Sequence, residues 1–216
     1  MTPETFREAT GVSRETLARL EAYANLLIRW TKAVNLVSRD SLHDLWRRHF
    51  FDSAQLFPLL PEVTGRPRVV VDLGSGAGFP GMVLSILGAG DVHLVESDQR
   101  KVMFLREVAR EVGSDAHIHG VRVEQLPRFS ADVVTARAFA PLAKLLDEAA
   151  AFLDPAQATN GGAPARGLFL KGRRVEEELT AAQKAWKITV ERSESRSDPS
   201  GTILHIGVRG RGTTAS

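Results

Sequence analysis

The sequence predicts an α/β protein: a mostly parallel sheet of seven strands with helices on both faces, an N-terminal helical extension and a C-terminal antiparallel hairpin. Three observations predict it. From Arg68 onward, short runs rich in Val, Ile and Leu alternate with segments of helical spacing. Strands of that kind are buried on both faces and belong to parallel sheets. Before Arg68 the apolar residues recur only at helical spacing. After Ala185, two strand-like segments follow each other with only a turn between them.

The elements follow in order. Residues 13–31 form an amphipathic helix, with Leu17, Leu20, Ala24, Leu27 and Ile28 on one side and Ser13 as its cap. The capping box is incomplete, because Thr16 stands where Glu would be. Ser41 to Phe57 is expected as a second helix, with Leu42, Leu45, Trp46, His49 and Phe50 on one side. Pro58, Pro61, Gly65 and Pro67 make a linker. Then come strand Val69–Leu73, helix Gly81–Leu87, strand Val92–Glu96, helix Arg100–Val112 and a strand around Ile118. Strand Asp132–Ala136, helix Leu142–Phe152, strand Gly167–Lys171 and helix Val175–Ala185 complete the alternation. Ile188–Glu194 and Thr202–Arg209 form the hairpin around the turn Arg196–Gly201. The expected divisions are 1–66 for the helical extension, 67–209 for the α/β domain and 210–216 for a disordered tail. The Ala/Pro/Gly-rich stretch 154–166 is expected to be a mobile loop.

Composition narrows the class. A chain of 216 residues, 43% hydrophobic and 25% charged, suits one soluble globular domain. No apolar run reaches 18 residues, so no membrane span is expected. The start, MTPETFREATG, lacks the basic and apolar regions of a signal peptide, which points to a cytoplasmic location. Zero cysteines exclude a disulfide framework, a thiolate metal site and a cysteine nucleophile. The net charge of +2 is unevenly spread. Residues 1–66 carry nine basic and eight acidic groups, 67–165 nine and twelve, and 166–216 ten and six. A basic end suits a polyanionic partner or a solvated surface. The histidines at 43, 49, 93, 117, 119 and 205 show no metal-ligand spacing backed by nearby carboxylates, so no metal is expected. His117 and His119 share one face of a strand, where packing is the expected role.

The chemistry concentrates in VVVDLGSGAGFPG, residues 69–81. A strand ending in Asp72, a glycine-rich turn and a helix place this loop at the carboxyl end of the first strand, where open α/β sheets bind ligands. Phe79 breaks the G-x-G-x-x-G dinucleotide fingerprint, and the loop reads D-x-G-x-G-x-G through Gly74, Gly76 and Gly78. No P-loop is present. Glu96 ends the next apolar run, 24 residues after Asp72, where an acid accepts hydrogen bonds from both ribose hydroxyls of an adenosine. Asp72 lies beside the loop and can meet a positive group directly or through water. An adenosine carrying an amino acid and no phosphate, S-adenosylmethionine, fits these features; a dinucleotide remains the alternative.

Further motifs extend the pattern: W-x-x-x-x-N-L at Trp30–Leu36, H-x-x-D-S at His49–Ser53, DLGSGAGFPG at 72–81, VES with RK at 95–101, RVE at 122–124, ARAFAPL at 136–142 and LKG at 170–172. Together they resemble the bacterial glucose-inhibited division protein B family, over roughly residues 23 to 208. That resemblance implies a Rossmann-like S-adenosylmethionine-dependent methyltransferase acting on N7 of a guanine in the decoding-region loop of 16S ribosomal RNA. It implies a cofactor site of Gly74, Phe79, Glu96, Val123, Glu124 and Arg137. The residues themselves permit N7 transfer without selecting it. There is no cysteine to activate a pyrimidine ring and no [DNS]-P-P-[YFW] loop for an exocyclic amine, whereas guanine N7 offers a free lone pair. Arg137 follows the fourth strand on the rim of the glycine loop. It is expected to contact the guanine edge or a phosphate near the methyl group, or to pair with Asp72 or Glu96. Lys171, Arg173 and Arg174 form a basic patch for RNA on the same rim. His49 and Asp52, three apart on one helical face, are expected to pair at the mouth of the site. The partner is 16S ribosomal RNA or the small subunit, and a monomer is expected.

Overall fold

The computed structural model describes residues 1–153 and 164–212. Five strands run parallel: β1 (Val69–Leu73), β2 (Asp91–Val95), β3 (His117–His119), β4 (Val133–Arg137) and β5 (Arg166–Lys171). The hairpin strands β6 (Trp186–Glu194) and β7 (Thr202–Arg211) pair with each other, and β7 lies antiparallel to β5. The sheet order is β3-β2-β1-β4-β5-β7-β6. The chain therefore winds outward in two directions from β1. The crevice between the carboxyl ends of β1 and β4 is the switch point at which such sheets take their ligands.

The period-two alternation of β1 divides the core. Val70 joins one apolar cluster, with the helices α1 (Pro3–Thr10), α2 (Arg14–Thr31), α5 (Gly81–Ile86) and α6 (Gln99–Val112). Val71 and Leu73 join the other, with α7 (Leu142–Leu153) and α8 (Val175–Ala185). Between them, Asp72 points to the first face and is fully buried.

The N-terminal helices are welded into that first face. Tyr23 on α2 stacks on Phe79 of the glycine loop at 5.3 Å and meets Phe50 edge-on at 5.2 Å. Its hydroxyl donates to the Ala77 carbonyl. Burial holds that hydroxyl protonated, with its pKa pushed well up. Tyr23, Trp30, Trp46 and Phe50 thus pack among core aromatics. Tyr23→Phe is expected to lower stability by about 1–3 kcal/mol by leaving a loop carbonyl without its donor, measurable as a lowered denaturant midpoint at constant slope.

Several elements differ from the sequence reading. Helix α1 was not anticipated; Thr2 caps it, Pro3 opens it and Gly11, at φ 72°, ends it. The expected helix Ser41–Phe57 is broken. It consists of α3 (Arg39–Leu42), a π-helical turn (Trp46–Phe51), α4 (Asp52–Ala54) and a 3-10 turn (Phe57–Leu59). The hairpin strands are longer than expected, starting at Trp186 and ending at Arg211. Most of the 154–166 stretch and the last four residues of the expected tail lie outside the described residues. Among the described residues, no helix is long and apolar enough to cross a membrane.

Candidate active site

A cleft of about 1180 Å³ opens over the carboxyl ends of the parallel strands. Its walls are the glycine loop, the end of β2, the turn after β3, the segment following β4, the π-helical turn and the tip of the β6–β7 hairpin. Small-molecule sites run from about 300 to 1,000 Å³. This cleft therefore has room for a nucleoside cofactor and part of a second reactant.

The acid at the end of β2 is set rigidly. Glu96 Oε2 accepts the Gly76 N–H at 2.9 Å, and Oε1 accepts the Asp98 N–H at 2.8 Å. The residue is only 8% exposed, yet it lines the cleft. Each carboxylate oxygen keeps acceptor capacity beyond its one backbone donor. Gly76 forms the floor opposite. A Cβ there would meet nothing nearer than the Gly74 carbonyl oxygen at 3.8 Å, so the missing side chain leaves that space open. Val123 and Glu124 line the same cleft from a 3-10 turn (Val123–Gln125), whose first amides need acceptors from outside the turn.

Two of the expected cofactor contacts face elsewhere. Asp72 lies under the loop: Oδ2 accepts the Gly81 N–H at 3.1 Å and Oδ1 the Thr135 hydroxyl at 2.8 Å. Burial raises its pKa to about 6. With no exposed surface, it braces the loop from beneath and is not placed to touch a ligand. Gly78 turns toward the core. At φ 96°, an added Cβ would stand 2.6 Å from the Tyr23 hydroxyl oxygen. Gly74 sits under Phe139, whose ring a Cβ would strike at 2.1 Å. Ala138 makes that overlap possible with a left-handed φ of 51°, a conformation uncommon for any residue but glycine.

Arg137 closes the other side. Its Nη1 donates to the Arg48 carbonyl at 2.8 Å and lies 3.3 Å from Asp52 Oδ2; Nη2 lies 2.7 Å from His49 Nδ1. The guanidinium stands 4.9 Å over the Phe79 ring. Arg137 therefore pairs with Asp52, and neither Asp72 nor Glu96 is its hydrogen-bonding partner. His49 and Asp52 do meet at the mouth, as their spacing suggested, but through Arg137. Burial and the adjacent arginines lower the His49 pKa to about 3, so the ring is neutral at physiological pH. With Nδ1 accepting from Arg137, Nε2 carries the proton, and that buried atom has no partner in the structure. The folded protein refuses a proton that the unfolded chain takes up near pH 6.5. His49 thus contributes stability that is lost as pH falls from about 6.5 toward 3.

A network missed in the sequence ties these parts together. Gln55 Nε2 donates to Asp52 Oδ1 at 3.0 Å, and the Ser197 hydroxyl donates to the same oxygen. Gln55 Oε1 accepts the Arg196 N–H at 2.8 Å. The π-helical turn, the hairpin tip and the end of β4 are thus one unit. No linear motif links residues 55 and 197, so only the fold reveals it.

The basic patch is less uniform than its sequence. Lys171 lines the cleft, but its side chain is 8% exposed and its ammonium bonds Glu178 Oε2 at 2.8 Å and the Ala140 carbonyl at 2.7 Å. It braces the segment after β4 and does not offer a free charge. Arg174 pairs with Glu177 at 2.9 Å on an open surface, and Arg173 is exposed beside it. The structure also assembles a group that linear spacing did not display: Asp91, His93 and His117 meet across β2 and β3.

Solved structures share the architecture. Magnesium protoporphyrin IX methyltransferase from Synechocystis, with bound SAM, superposes with a TM-score of 0.56 at 14% identity, over 92% of this chain and 98% of that one. An rRNA methylase from Streptococcus thermophilus gives 0.52 at 14% identity, over 72% and 95%. At such identities the likeness speaks for the fold. Fold and cleft together define the Rossmann-like architecture that these methyltransferases share, with its cleft at the strands' carboxyl ends. A family model described as rRNA small subunit methyltransferase G (GidB) matches residues 16–201. The ribosomal RNA small subunit methyltransferase G of Rhodospirillum rubrum is 56% identical over 207 residues, 96% of this chain and 98% of that protein. The protein of the same name in Paramagnetospirillum magneticum is 52% identical over 212 residues, 98% of each. The chain belongs to this family.

Proposed function

We propose that the protein transfers the methyl group of S-adenosylmethionine to guanine N7 in the decoding-region loop of 16S ribosomal RNA, acting as a monomer in the cytoplasm. The observation that carries the reading is the arrangement of Glu96 and Arg137. A carboxylate with free acceptor capacity faces an anchored guanidinium across a cleft large enough for cofactor and base.

The residues fit the cofactor. Glu96 accepts the two ribose hydroxyls. Gly76 lets the amino-acid portion approach the backbone, and the first amides of the Val123 turn meet the adenine edge. Phe79 supports Arg137 from below. When bound, the cofactor supplies an electrophilic methyl on a sulfonium.

This chain's residues then have one main task, to orient the acceptor. N7 must keep its lone pair free for the methyl. A donor in the site therefore belongs on guanine O6, and the bidentate arginine contact to O6 and N7 is unsuitable here. Arg137, with Nη1 bonded to the Arg48 carbonyl and Asp52 and Nη2 to His49, retains donors on Nε and Nη2 for O6 or a phosphate. Catalysis is then positioning of the base in line with the methyl–sulfur bond. The methylated base gains a positive charge, and the Asp52 carboxylate is an anionic group on that rim. Arg173 and Arg174 supply phosphate contacts at the edge.

No proton leaves N7, and the one histidine on this rim has its pKa far below neutrality. Single-turnover transfer is therefore expected to vary less than about twofold between pH 7 and 9. A rise with a midpoint inside that range would reveal a general base and contradict the mechanism. The direct test is incubation with labelled S-adenosylmethionine and small subunits lacking the modification. Label in the RNA supports the reading, and label confined to protein opposes it.

A further inference from the structure

We propose that Asp91, His93 and His117 form a divalent transition-metal site, suited to Zn²⁺, on the outer face of β2 and β3 and separate from the methyl-transfer cleft. The parallel register sets His93 beside His117, and Asp91 precedes His93 by two residues on the same side of β2. Val92 and Leu94 fill the opposite face, which α5 and α6 cover. Asp91 and His117 begin their strands, whereas the cleft lies at the strands' carboxyl ends.

The three side chains stand within reach of one ion. Asp91 Oδ1 lies 3.0 Å from His117 Nε2, and Oδ2 lies 3.4 Å from His93 Nε2. The three ligand atoms all lie within 4.8 Å of one another. Zinc bonds of about 2.0–2.1 Å in a tetrahedron separate neighbouring ligand atoms by roughly 3.3 Å. Each imidazole already lies near that length from a carboxylate oxygen, His117 from Oδ1 and His93 from Oδ2, and a small turn of the Asp91 carboxylate brings one oxygen to both. The edge between the two imidazoles closes by rotation of His117, which is 57% exposed. Two imidazoles and one carboxylate suit Zn²⁺ and its neighbours, not Mg²⁺ or Ca²⁺, which take oxygen ligands. Water completes the fourth position.

A supporting contact sets His93 up as a ligand. His93 Nδ1 lies 2.9 Å from His119 Nε2, and the two rings stack within 5° of parallel at 5.1 Å. If Nδ1 donates its proton to His119, Nε2 presents a lone pair toward the carboxylate. This is the outer hydrogen bond that metal-bound histidines usually make. Phe129 packs on the other side of His93 at 4.5 Å and holds the ring. The ion would clamp β3, a three-residue edge strand, to β2.

The test is calorimetric titration of the chelator-treated full-length protein with ZnCl₂, together with its melting curve. One equivalent is expected to bind with a micromolar or tighter Kd and to raise Tm, with Mg²⁺ at a hundredfold excess failing to compete. His117→Ala removes an exposed ligand without disturbing the core, and Asp91→Asn keeps the shape of the carboxylate. Each is expected to weaken binding at least tenfold, and His43→Ala, remote and exposed, to leave it unchanged. Millimolar binding, or an unchanged Kd in His117→Ala, would overturn the assignment.

Discussion

Replacing Arg137 by alanine is expected to lower single-turnover methyl transfer by about 100-fold or more, while RNA affinity falls less than about threefold. The expectation follows from what the guanidinium touches. Three anchors, Arg48 and His49 on the π-helical turn and Asp52 at the start of α4, hold it over Phe79, at the rim where the acceptor base must stop. A group held by so many fixed partners is pre-organised, and removing a pre-organised donor costs roughly 2.7–4 kcal/mol in comparable sites. A plain phosphate contact would behave otherwise, losing affinity and transfer in equal measure. Arg137→Ala also strips His49 Nδ1 and Asp52 of a donor, so the melting curve must accompany the kinetics. Arg137→Lys separates the two roles. Lysine keeps the charge but not the planar fork, so it is expected to bind RNA normally and transfer poorly.

The second large effect is on the cofactor. Glu96→Ala is expected to weaken S-adenosylmethionine binding by about 1–3 kcal/mol, the worth of charge-assisted hydrogen bonds to the ribose. The same change frees the Gly76 and Asp98 amides, so the glycine loop loosens as well. Glu96→Gln removes the charge yet keeps part of the loop contact. Its carboxamide oxygen still accepts one backbone amide, while its NH₂ faces the other donor. Calorimetry showing unchanged cofactor affinity in Glu96→Ala would refute the ribose assignment.

What the sequence disclosed follows from which signals are local. The strand Val69–Leu73 and the helix Val175–Ala185 are found where the pattern put them, because apolar runs and helical spacing are written in consecutive residues. Glu96 was legible because the end of the second strand is a fixed distance from the first in this architecture. Arg137 was legible as a rim residue, but its partners were not, since Arg48, His49 and Asp52 lie 85 to 89 positions away. Asp72 shows the opposite failure. Its place beside the loop was readable, but the alternation that buries it against Thr135 and Gly81 also removes it from the cleft. The break in Ser41–Phe57 escaped notice because a π-helical turn leaves the apolar spacing nearly intact. The histidine group at β2 and β3 depends wholly on strand register, which no spacing within one segment encodes.

In the proposed reaction the Glu96–Arg137 cleft delivers a methyl group to guanine N7. The most direct measurement is borohydride and aniline cleavage of small-subunit RNA after reaction with labelled S-adenosylmethionine, because this chemistry breaks the chain at 7-methylguanosine. A single new cleavage in the decoding-region loop, absent when Arg137→Ala replaces the native protein, is the predicted result. Labelled RNA that resists cleavage would place the methyl on another atom and contradict the account.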